Sequence, residues 1–145
     1  MTFSGLTNKQ RIIGVDVGLK RVGIAQSDLT GTLASPLGTF SSPEAIARIT
    51  DLCDSGMVRL VVIGWPLTMR GEEGDSVAMV RSFIDKLKKN IGSVPVETID
   101  ERFTSILAHQ SIRDAGARRK KRQRKDLVDS TAAAILLQNY LDANG

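Results

Sequence analysis

The stretch Arg11-Ile-Ile-Gly-Val-Asp-Val-Gly18 sets one aspartate, Asp16, in the middle of an apolar run that ends at a glycine turn. The β-branched residues of this run predict a buried strand. An ionised carboxylate in a buried strand costs several kcal/mol unless it is paired, hydrogen-bonded or bound to a metal. Asp16 is therefore a candidate site residue rather than an accident of composition.

The composition predicts one globular domain over residues 1–145. The chain has 145 residues, of which 41% are hydrophobic and 25% are charged, enough to bury one core. The single cysteine, Cys53, excludes an internal disulfide and is interpreted as a small core filler. No run approaches the roughly 20 apolar residues of a membrane span, and no signal-peptide pattern is present. We expect a cytoplasmic protein.

The first half of the chain predicts three strands and a helix. Strands are expected near 11–17, 21–27 and 33–40, and Gly31 permits a short reversal, which together make an antiparallel meander. A helix is expected next, with Ser42 as its cap and Pro43 in its first position. Apolar residues then recur at helical spacing up to Gly56.

The second half predicts helices that alternate with parallel strands. The β-branched run 58–64 is typical of a strand covered on both faces, and a shorter strand is expected over 95–99. A loop is expected over 65–74, and helices near 75–90, 104–115 and 126–142. The fold class is α/β, with a mixed five-stranded sheet that combines an antiparallel meander and parallel strands, and with helices on both faces.

Three carboxylates are expected to converge although they are far apart in the sequence. Glu101 follows the end of the 95–99 strand, and ligands of open α/β sheets gather at the carboxyl ends of parallel strands. Asp129 shares a helical stripe with Ala133 and would face the sheet, and Asp126 could replace or assist it. Each acid also has a structural interpretation: a hydrogen bond to its own turn for Asp16, an ion pair with a neighbouring arginine for Glu101, or a helix cap for the last two.

The donor set predicts a hard divalent cation. The candidate ligands Asp16, Glu101 and Asp129 offer only carboxylate oxygens, with no matching set of histidines or cysteines, which favours Mg²⁺ or Mn²⁺ over zinc. Two such ions can activate a water and stabilise the leaving oxygen of a phosphodiester.

A dense basic segment, residues 118–125, predicts contact with nucleic acid. Seven of its eight residues are basic, while the rest of the chain is acidic. We expect a basic loop over 118–125, before the last helix, that neutralises backbone phosphates. It could also be a flexible, solvated loop without such contacts, or it could contact an anionic membrane. The expected phosphate contacts in this segment are Arg118, Arg119, Lys120, Lys121, Arg122, Arg124 and Lys125. Lys20, Arg21 and Arg102 are further candidates beside the acids.

Four groups of motifs, in order along nearly the whole chain, resemble the YqgF family, also called RuvX. The first group is Gly14-Val-Asp-Val-Gly18 with Lys20-Arg-Val-Gly-Ile-Ala25, and the second is Gly64-Trp-Pro-Leu67 with Gly71-Glu-Glu-Gly74. The third is Asp100-Glu-Arg-Phe-Thr104, and the fourth is Val128-Asp-Ser-Thr-Ala-Ala133 with Ile135-Leu-Leu-Gln-Asn-Tyr-Leu-Asp142. The resemblance implies an RNase H-like fold and a bacterial nuclease of ribosome maturation or branched-DNA resolution. It also implies that Asp16, Glu101 and Asp129 are the acidic site residues. Trp65 departs from the smaller residue that relatives often have, and it is interpreted as covering the core or stacking on an unpaired base.

The expected function is a Mg²⁺-dependent or Mn²⁺-dependent endonuclease that acts on structured nucleic acid. The family resemblance ranks 5′-end processing of pre-16S rRNA first and Holliday junction resolution second. Junction resolution would need a two-fold dimer, and the sequence allows a monomer or a homodimer. Two other classes stay open. One is a non-catalytic RNA-binding scaffold, and the other is a nucleotide-binding phosphotransferase, which would show itself by binding ATP.

Overall fold

The computed structural model describes residues 10–66, 74–100 and 121–144, the last with its side chains from residue 131 onward. The strands are β1 (Arg11–Val17), β2 (Val22–Ser27), β3 (Ala34–Phe40), β4 (Val58–Trp65) and β5 (Val96–Asp100). They form one sheet in the order β3-β2-β1-β4-β5. The pairs β1–β2 and β2–β3 are antiparallel, whereas β1–β4 and β4–β5 are parallel. The predicted mixed five-stranded sheet is confirmed.

Three helices are described: α1 (Ser42–Asp54), α2 (Asp75–Lys88) and α3 (Lys121–Asn144). Helices α1 and α2 pack on one face of the sheet, where their apolar residues join a core cluster with Ile13, Val15 and Val17 of β1. Helix α3 packs on the other face, in a second cluster that includes Ile12. The expected helices on both faces are thus confirmed, because β1 alternates its side chains between two covered surfaces. The predicted helix over 104–115 lies outside the described residues.

The cap of α1 is Ser41, not Ser42 as predicted. The Ser41 hydroxyl oxygen accepts a hydrogen bond from the Glu44 backbone N–H at 3.3 Å, and the same hydroxyl lies 2.7 Å from a Glu44 carboxylate oxygen. A Ser-x-x-Glu pair therefore begins the helix one residue earlier than the prediction. Pro43 still lies in the first turn, where its missing N–H costs no helical hydrogen bond.

Helix α3 begins at Lys121, five residues before the predicted start near 126. The prediction of a loop over 118–125 is therefore wrong for residues 121–125, which belong to the helix. Lysine, arginine and glutamine are good helix formers, so residues 121–125 can be helical without apolar residues at helical spacing, on which the predicted start near 126 was based. Residues 118–120 lie outside the described residues.

Two side chains singled out in the sequence have structural roles in the core. Cys53 is buried in α1, and burial raises the pKa of its thiol to about 11, as expected for a core filler. Trp65 is the last residue of β4 and not part of a loop, and it packs against the α1/α2 cluster. The Arg81 guanidinium lies 5.4 Å from the centroid of its ring. These contacts favour the core interpretation of Trp65 over base stacking.

Candidate active site

The carboxyl ends of the three parallel strands meet at one edge of the sheet, which we call the catalytic edge. In the paired register, Val15 of β1 lies beside Ile63 of β4, and Ile63 lies beside Thr98 of β5. One residue further along each strand come Asp16, Gly64 and Ile99. The first strand therefore brings Asp16 to the place where ligands of open α/β sheets bind.

Asp16 lies on the face of the sheet that α3 covers. Its neighbours Val15 and Val17 point into the α1/α2 cluster, and side chains alternate along a strand, so Asp16 points the opposite way. Gly14 shares the face of Asp16 and lies directly under α3. Asp16 is half-buried, so its carboxylate has access to solvent at the rim of the sheet.

Gly14 brings α3 close to the sheet beside Asp16. A Cβ atom at position 14 would lie 2.7 Å from the Leu137 Cβ and 3.2 Å from the Ala133 backbone oxygen. Contacts below 3 Å between carbon atoms are repulsive, so only glycine lets the helix lie this near. This role of Gly14 was not predicted, although a glycine inside an otherwise apolar strand often marks a close backbone approach.

Polar contacts fix the C-terminal half of α3 on the sheet. The Gln138 side-chain oxygen accepts a hydrogen bond from the Ala34 N–H at 2.9 Å, and its amide nitrogen donates to the Thr32 carbonyl oxygen at 3.0 Å. The Tyr140 hydroxyl lies 3.4 Å from both carboxylate oxygens of Glu97 on β5, and burial, with the negative charge of Glu97, raises the pKa of this tyrosine. These contacts tie the helix to β3 and β5, and they were not predicted from the sequence.

The turn between β1 and β2 carries two of the predicted phosphate contacts. The Gly18 N–H donates to the Arg21 carbonyl oxygen at 2.9 Å, and a Cβ at position 18 would lie 2.8 Å from that oxygen. Glycine therefore permits the tight reversal, which leaves Lys20 and Arg21 exposed. The turn follows β1 directly, so both cations lie at the catalytic edge, within a few residues of Asp16.

The remaining predicted site residues stay predictions. Glu101, Arg102, Arg118, Arg119 and Lys120 lie outside the described residues. Other predicted residues belong to the first part of α3, where the structure describes the backbone but not the side chains. They are Lys121, Arg122, Arg124, Lys125, Asp126 and Asp129. Within the described ranges, no three histidine, cysteine, aspartate or glutamate side chains come together as a metal site.

A known family matches nearly the whole chain. The family model RuvX, described as Holliday junction resolvase, matches residues 10–143.

Curated relatives cover the same extent. A protein of Salinibacter ruber named "Putative pre-16S rRNA nuclease" is 37% identical over 143 residues, covering 99% of this chain and all of that protein. Proteins of the same name from Chloroflexus aggregans and Bacteroides fragilis are 46% identical over 139 residues and 41% identical over 132 residues. Each covers more than nine-tenths of both chains.

Solved structures with a similar fold include RuvC of Thermus thermophilus. The RuvC chain bound to a Holliday junction substrate aligns with a TM-score of 0.54 and 15% identity, over 93% of this chain and 95% of that one. A second Thermus thermophilus RuvC structure aligns with a TM-score of 0.55 and 14% identity, over 93% and 96% of the two chains. At such low identity the likeness describes the fold, which is RNase H-like.

Proposed function

Since this chain belongs to the RuvX family, we propose that it is a metal-dependent endonuclease whose preferred substrate is the 5′ end of the pre-16S rRNA precursor. The family description, Holliday junction resolvase, and the name of the curated relatives both refer to enzymes that cut nucleic acid. The relatives' name supports the rRNA precursor as the first choice. The single structural observation that carries the proposal is the place of Asp16, on a parallel strand, at the catalytic edge and facing α3.

The register of α3 on β1 supports Asp129 as a partner of Asp16. Ile12 clusters with Leu141, and Gly14 lies against Leu137 and Ala133. Two residues of β1 span about 6.6 Å, and one turn of α3 rises about 5.4 Å. Because α3 runs antiparallel to β1, each two-residue step forward along β1 corresponds to about one turn back along α3. The next two-residue step reaches Asp16, and the next turn before Ala133 reaches position 129. Position 126 lies one turn further.

The alternation of β5 supports Glu101 as the third carboxylate. Glu97 and Ile99 are on the α3 face, where Glu97 contacts Tyr140 and Ile99 packs into the α3 cluster. If the same alternation continued for one more step, position 101 would be on the face of Asp16, which supports the proposed role of Glu101. Gly64 of β4 lies between Asp16 and Ile99 in the paired register and has no side chain to separate β1 from β5. Strands β1 and β5 are about 10 Å apart, a distance that two carboxylate side chains can bridge through a shared cation.

The chemistry of these residues fits Mg²⁺ or Mn²⁺. Asp16, and with it the proposed Glu101 and Asp129, would supply only oxygen ligands, which is the donor type of both ions. When bound, two such ions would supply the positive charge that stabilises the developing charge on the phosphate and the leaving oxygen. The chain's own contribution would be to hold the scissile phosphate at the catalytic edge, with Lys20 and Arg21 on one side and Arg102 and the basic segment as further contacts.

The test is cleavage of labelled RNA by the wild type and by Asp16→Asn. The substrate is a pre-16S rRNA fragment with its 5′ extension, incubated with Mg²⁺, Mn²⁺ or EDTA. We expect metal-dependent cutting that falls more than about 100-fold in Asp16→Asn, because loss of a group that only supports a metal ligand already costs about 10- to 100-fold and Asp16 is the proposed ligand itself. The matched control is Asp51→Asn, which removes an exposed carboxylate from α1 and should cut like the wild type.

Two controls make this result decisive. Circular dichroism must show that both variants are folded, and filter binding in EDTA must show that they still bind the RNA. Equal cutting by Asp16→Asn and the wild type would overturn the assignment of Asp16. Retained binding without any metal-dependent cutting, on RNA and on DNA, would favour the non-catalytic RNA-binding scaffold instead.

Holliday junction resolution is the second candidate function. It is favoured by the description of the family model and by the similar fold of RuvC bound to a Holliday junction. Symmetric cutting of two strands needs a two-fold dimer, so a four-way DNA junction should be tested together with the mass of the protein in solution. Junction cutting by a dimer would favour this candidate. Cutting of the rRNA fragment alone, by a monomer or a homodimer, would favour the first.

Two features of organisation belong to the same proposal. Full-length coverage of the relatives supports a single nuclease domain over residues 1–145. No helix in the described part of the chain combines the length and the apolar character needed to cross a membrane. We propose the cytoplasm as the location, where rRNA precursors are processed.

A further inference from the structure

A cleft of about 190 Å³ opens at the catalytic edge on the face opposite Asp16. It lies between the β1–β2 turn and α2. Its apolar side is formed by Val17, Leu19, Met79 and Phe83, and its polar rim includes Ser82 and Lys86. None of these residues has a part in the function proposed above.

The chemistry of the cleft suits a flat apolar group that carries a negative charge. Val17 and Phe83 are buried, so they form a fixed base to the cleft, and the apolar surface open to a ligand comes mainly from half-buried Met79 and exposed Leu19. Ser82 and Lys86 are exposed on α2, one helical turn apart, and supply a hydrogen-bonding hydroxyl and a cation. An unstacked nucleobase with its phosphate has this combination, because the base presents apolar faces and the phosphate is anionic.

Leu19 is the second observation that points to a base. It is 90% exposed, the most exposed of the large apolar side chains in the described residues. It lies at the tip of the turn, next to the exposed cations Lys20 and Arg21. An apolar side chain this exposed, at the tip of a turn and followed by two cations, buries almost no surface in the fold. It can instead pack on a base whose phosphates the neighbouring cations attract.

The position of the cleft relates it to the chemistry at Asp16. Asp16 and Val17 are consecutive, and their side chains point to opposite faces at the same edge of the sheet. A nucleic-acid strand that crosses this edge would therefore have a phosphate near Asp16 and a neighbouring base over Val17. We propose that the cleft binds one unpaired nucleotide of the substrate, next to the phosphate that is cut. This inference rests on the proposed nuclease function and adds to it a preference for substrates with an unpaired base.

The test uses an RNA hairpin with a single-nucleotide bulge that carries 2-aminopurine, whose fluorescence rises when the base leaves its stack. Binding is measured in EDTA with Asp16→Asn, so that no cleavage is required. We expect the fluorescence to rise on binding. Ser82→Trp, which fills the cleft with a large side chain, should abolish the rise and weaken binding about tenfold, the order of one lost base contact. Lys86→Ala should weaken binding without filling the cleft.

The matched controls are Ser93→Trp and Lys89→Ala, which make the same changes at exposed positions beyond the C-terminus of α2. Both should behave like the parent protein. A fully paired hairpin of the same sequence should bind equally well to all variants. In the cleaving protein, Ser82→Trp should raise KM on the bulged substrate and leave kcat unchanged, because the change lies away from the acids.

The outcomes separate this inference from the proposed function. If no substrate is cut but Ser82→Trp still abolishes the fluorescence rise, the cleft binds a base and the proposed catalysis fails. If the rRNA fragment is cut and neither Ser82→Trp nor Lys86→Ala differs from its control on bulged and paired hairpins, the cleft is not a nucleotide site and the inference is overturned.

Discussion

Asp28, which directly follows β2, and Asp16, which lies within β1, have different surroundings and therefore different roles. The Asp28 carboxylate accepts hydrogen bonds from the Thr30 hydroxyl at 2.5 Å and from the N–H groups of Thr32 and Leu33 at 2.7 and 3.0 Å. It therefore shapes the turn between β2 and β3. Asp16, in contrast, lies within a strand, on the face where α3 approaches and at the edge where ligands bind.

The stability of the protein should depend on the ionisation of Asp28 in acid. The Thr30 hydroxyl and the N–H groups of Leu33 and Thr32 lower the pKa of Asp28 from 3.8 to about 2 in the folded protein. A lowered folded-state pKa contributes stability that is fully present above 3.8 and is lost as the pH falls from 3.8 to about 2. We expect the urea midpoint of the wild type to fall over this window. The difference between the wild type and Asp28→Asn should narrow over the same window.

The control for this titration is Asp51→Asn, which removes an exposed carboxylate from α1 and reports the general effect of one lost negative charge. Urea unfolding followed by circular dichroism between pH 2 and pH 6 provides the measurement. A constant difference between the wild type and Asp28→Asn across this range would show that the turn does not depend on the ionised carboxylate.

For single residues, the sequence predicted the chemical role of a side chain better than its contacts with distant parts of the chain. Asp16 was predictable because a carboxylate in an apolar strand needs a partner, and Cys53 because a lone cysteine in a helical stripe is usually buried. The contacts of Gln138 with β3 were not predictable, since they join residues more than 100 positions apart. The apolar cleft beside Leu19 was missed for the same reason, because it forms only when α2 packs beside the β1–β2 turn.

Among the elements, α3 has the greatest influence on the proposed site. The five strands and the first two helices were predicted to within a few residues because their hydrophobic period is clear. The start of α3 was placed too late because basic residues extend a helix without an apolar stripe. The cap of α1 was placed one residue late because Ser41 and Ser42 are adjacent and only the pairing with Glu44 distinguishes them.

Replacement of Gly14 by alanine should displace α3 from the sheet and impair cleavage. The added Cβ would lie 2.7 Å from the Leu137 Cβ, an overlap that truncation of Leu137 to alanine cannot remove because the Cβ remains. We expect a loss of about 1–3 kcal/mol in the free energy of unfolding, as for other overpacked cores. Cleavage per folded molecule should fall as well, because the helix that carries Asp129 moves relative to Asp16.

Gly56→Ala is the control for Gly14→Ala. Gly56 has a φ of 81° and no atom within 4 Å of an added Cβ, so alanine there introduces backbone strain without overlap. It should cost about 1–2 kcal/mol of stability and leave the activity of folded molecules unchanged. Urea denaturation gives the stabilities, and cleavage rates corrected for the folded fraction give the activities. If Gly14→Ala matches the wild type in both, the close approach of α3 does not position the site.

The whole molecule combines a sheet covered on both faces with an uneven distribution of charge. The architecture was predictable, and the family resemblance drawn from the sequence motifs is confirmed by the match over residues 10–143. The convergence of Asp16 with Glu101 and Asp129 stays a prediction, since only Asp16 is among the described side chains. The net charge of +4 arises from the basic segment 118–125, because the rest of the chain is acidic.

The basic segment should determine how strongly nucleic-acid binding depends on salt. Each phosphate contact that a lysine or arginine makes releases counterions, and each contact contributes about 0.7 to 0.9 to the slope of log K against log salt. We expect Arg118→Gln with Arg119→Gln to reduce the slope by about 2 and to weaken binding at physiological salt. The rate at saturating substrate should not change, because neither arginine is among the proposed metal-binding carboxylates. The control is Lys88→Gln with Lys89→Gln, the same change of charge at the end of α2. An equal reduction of the slope by both pairs would mean that net charge, and not the segment, attracts the substrate. A reduction by the first pair alone would show that the basic segment itself contacts the nucleic-acid backbone.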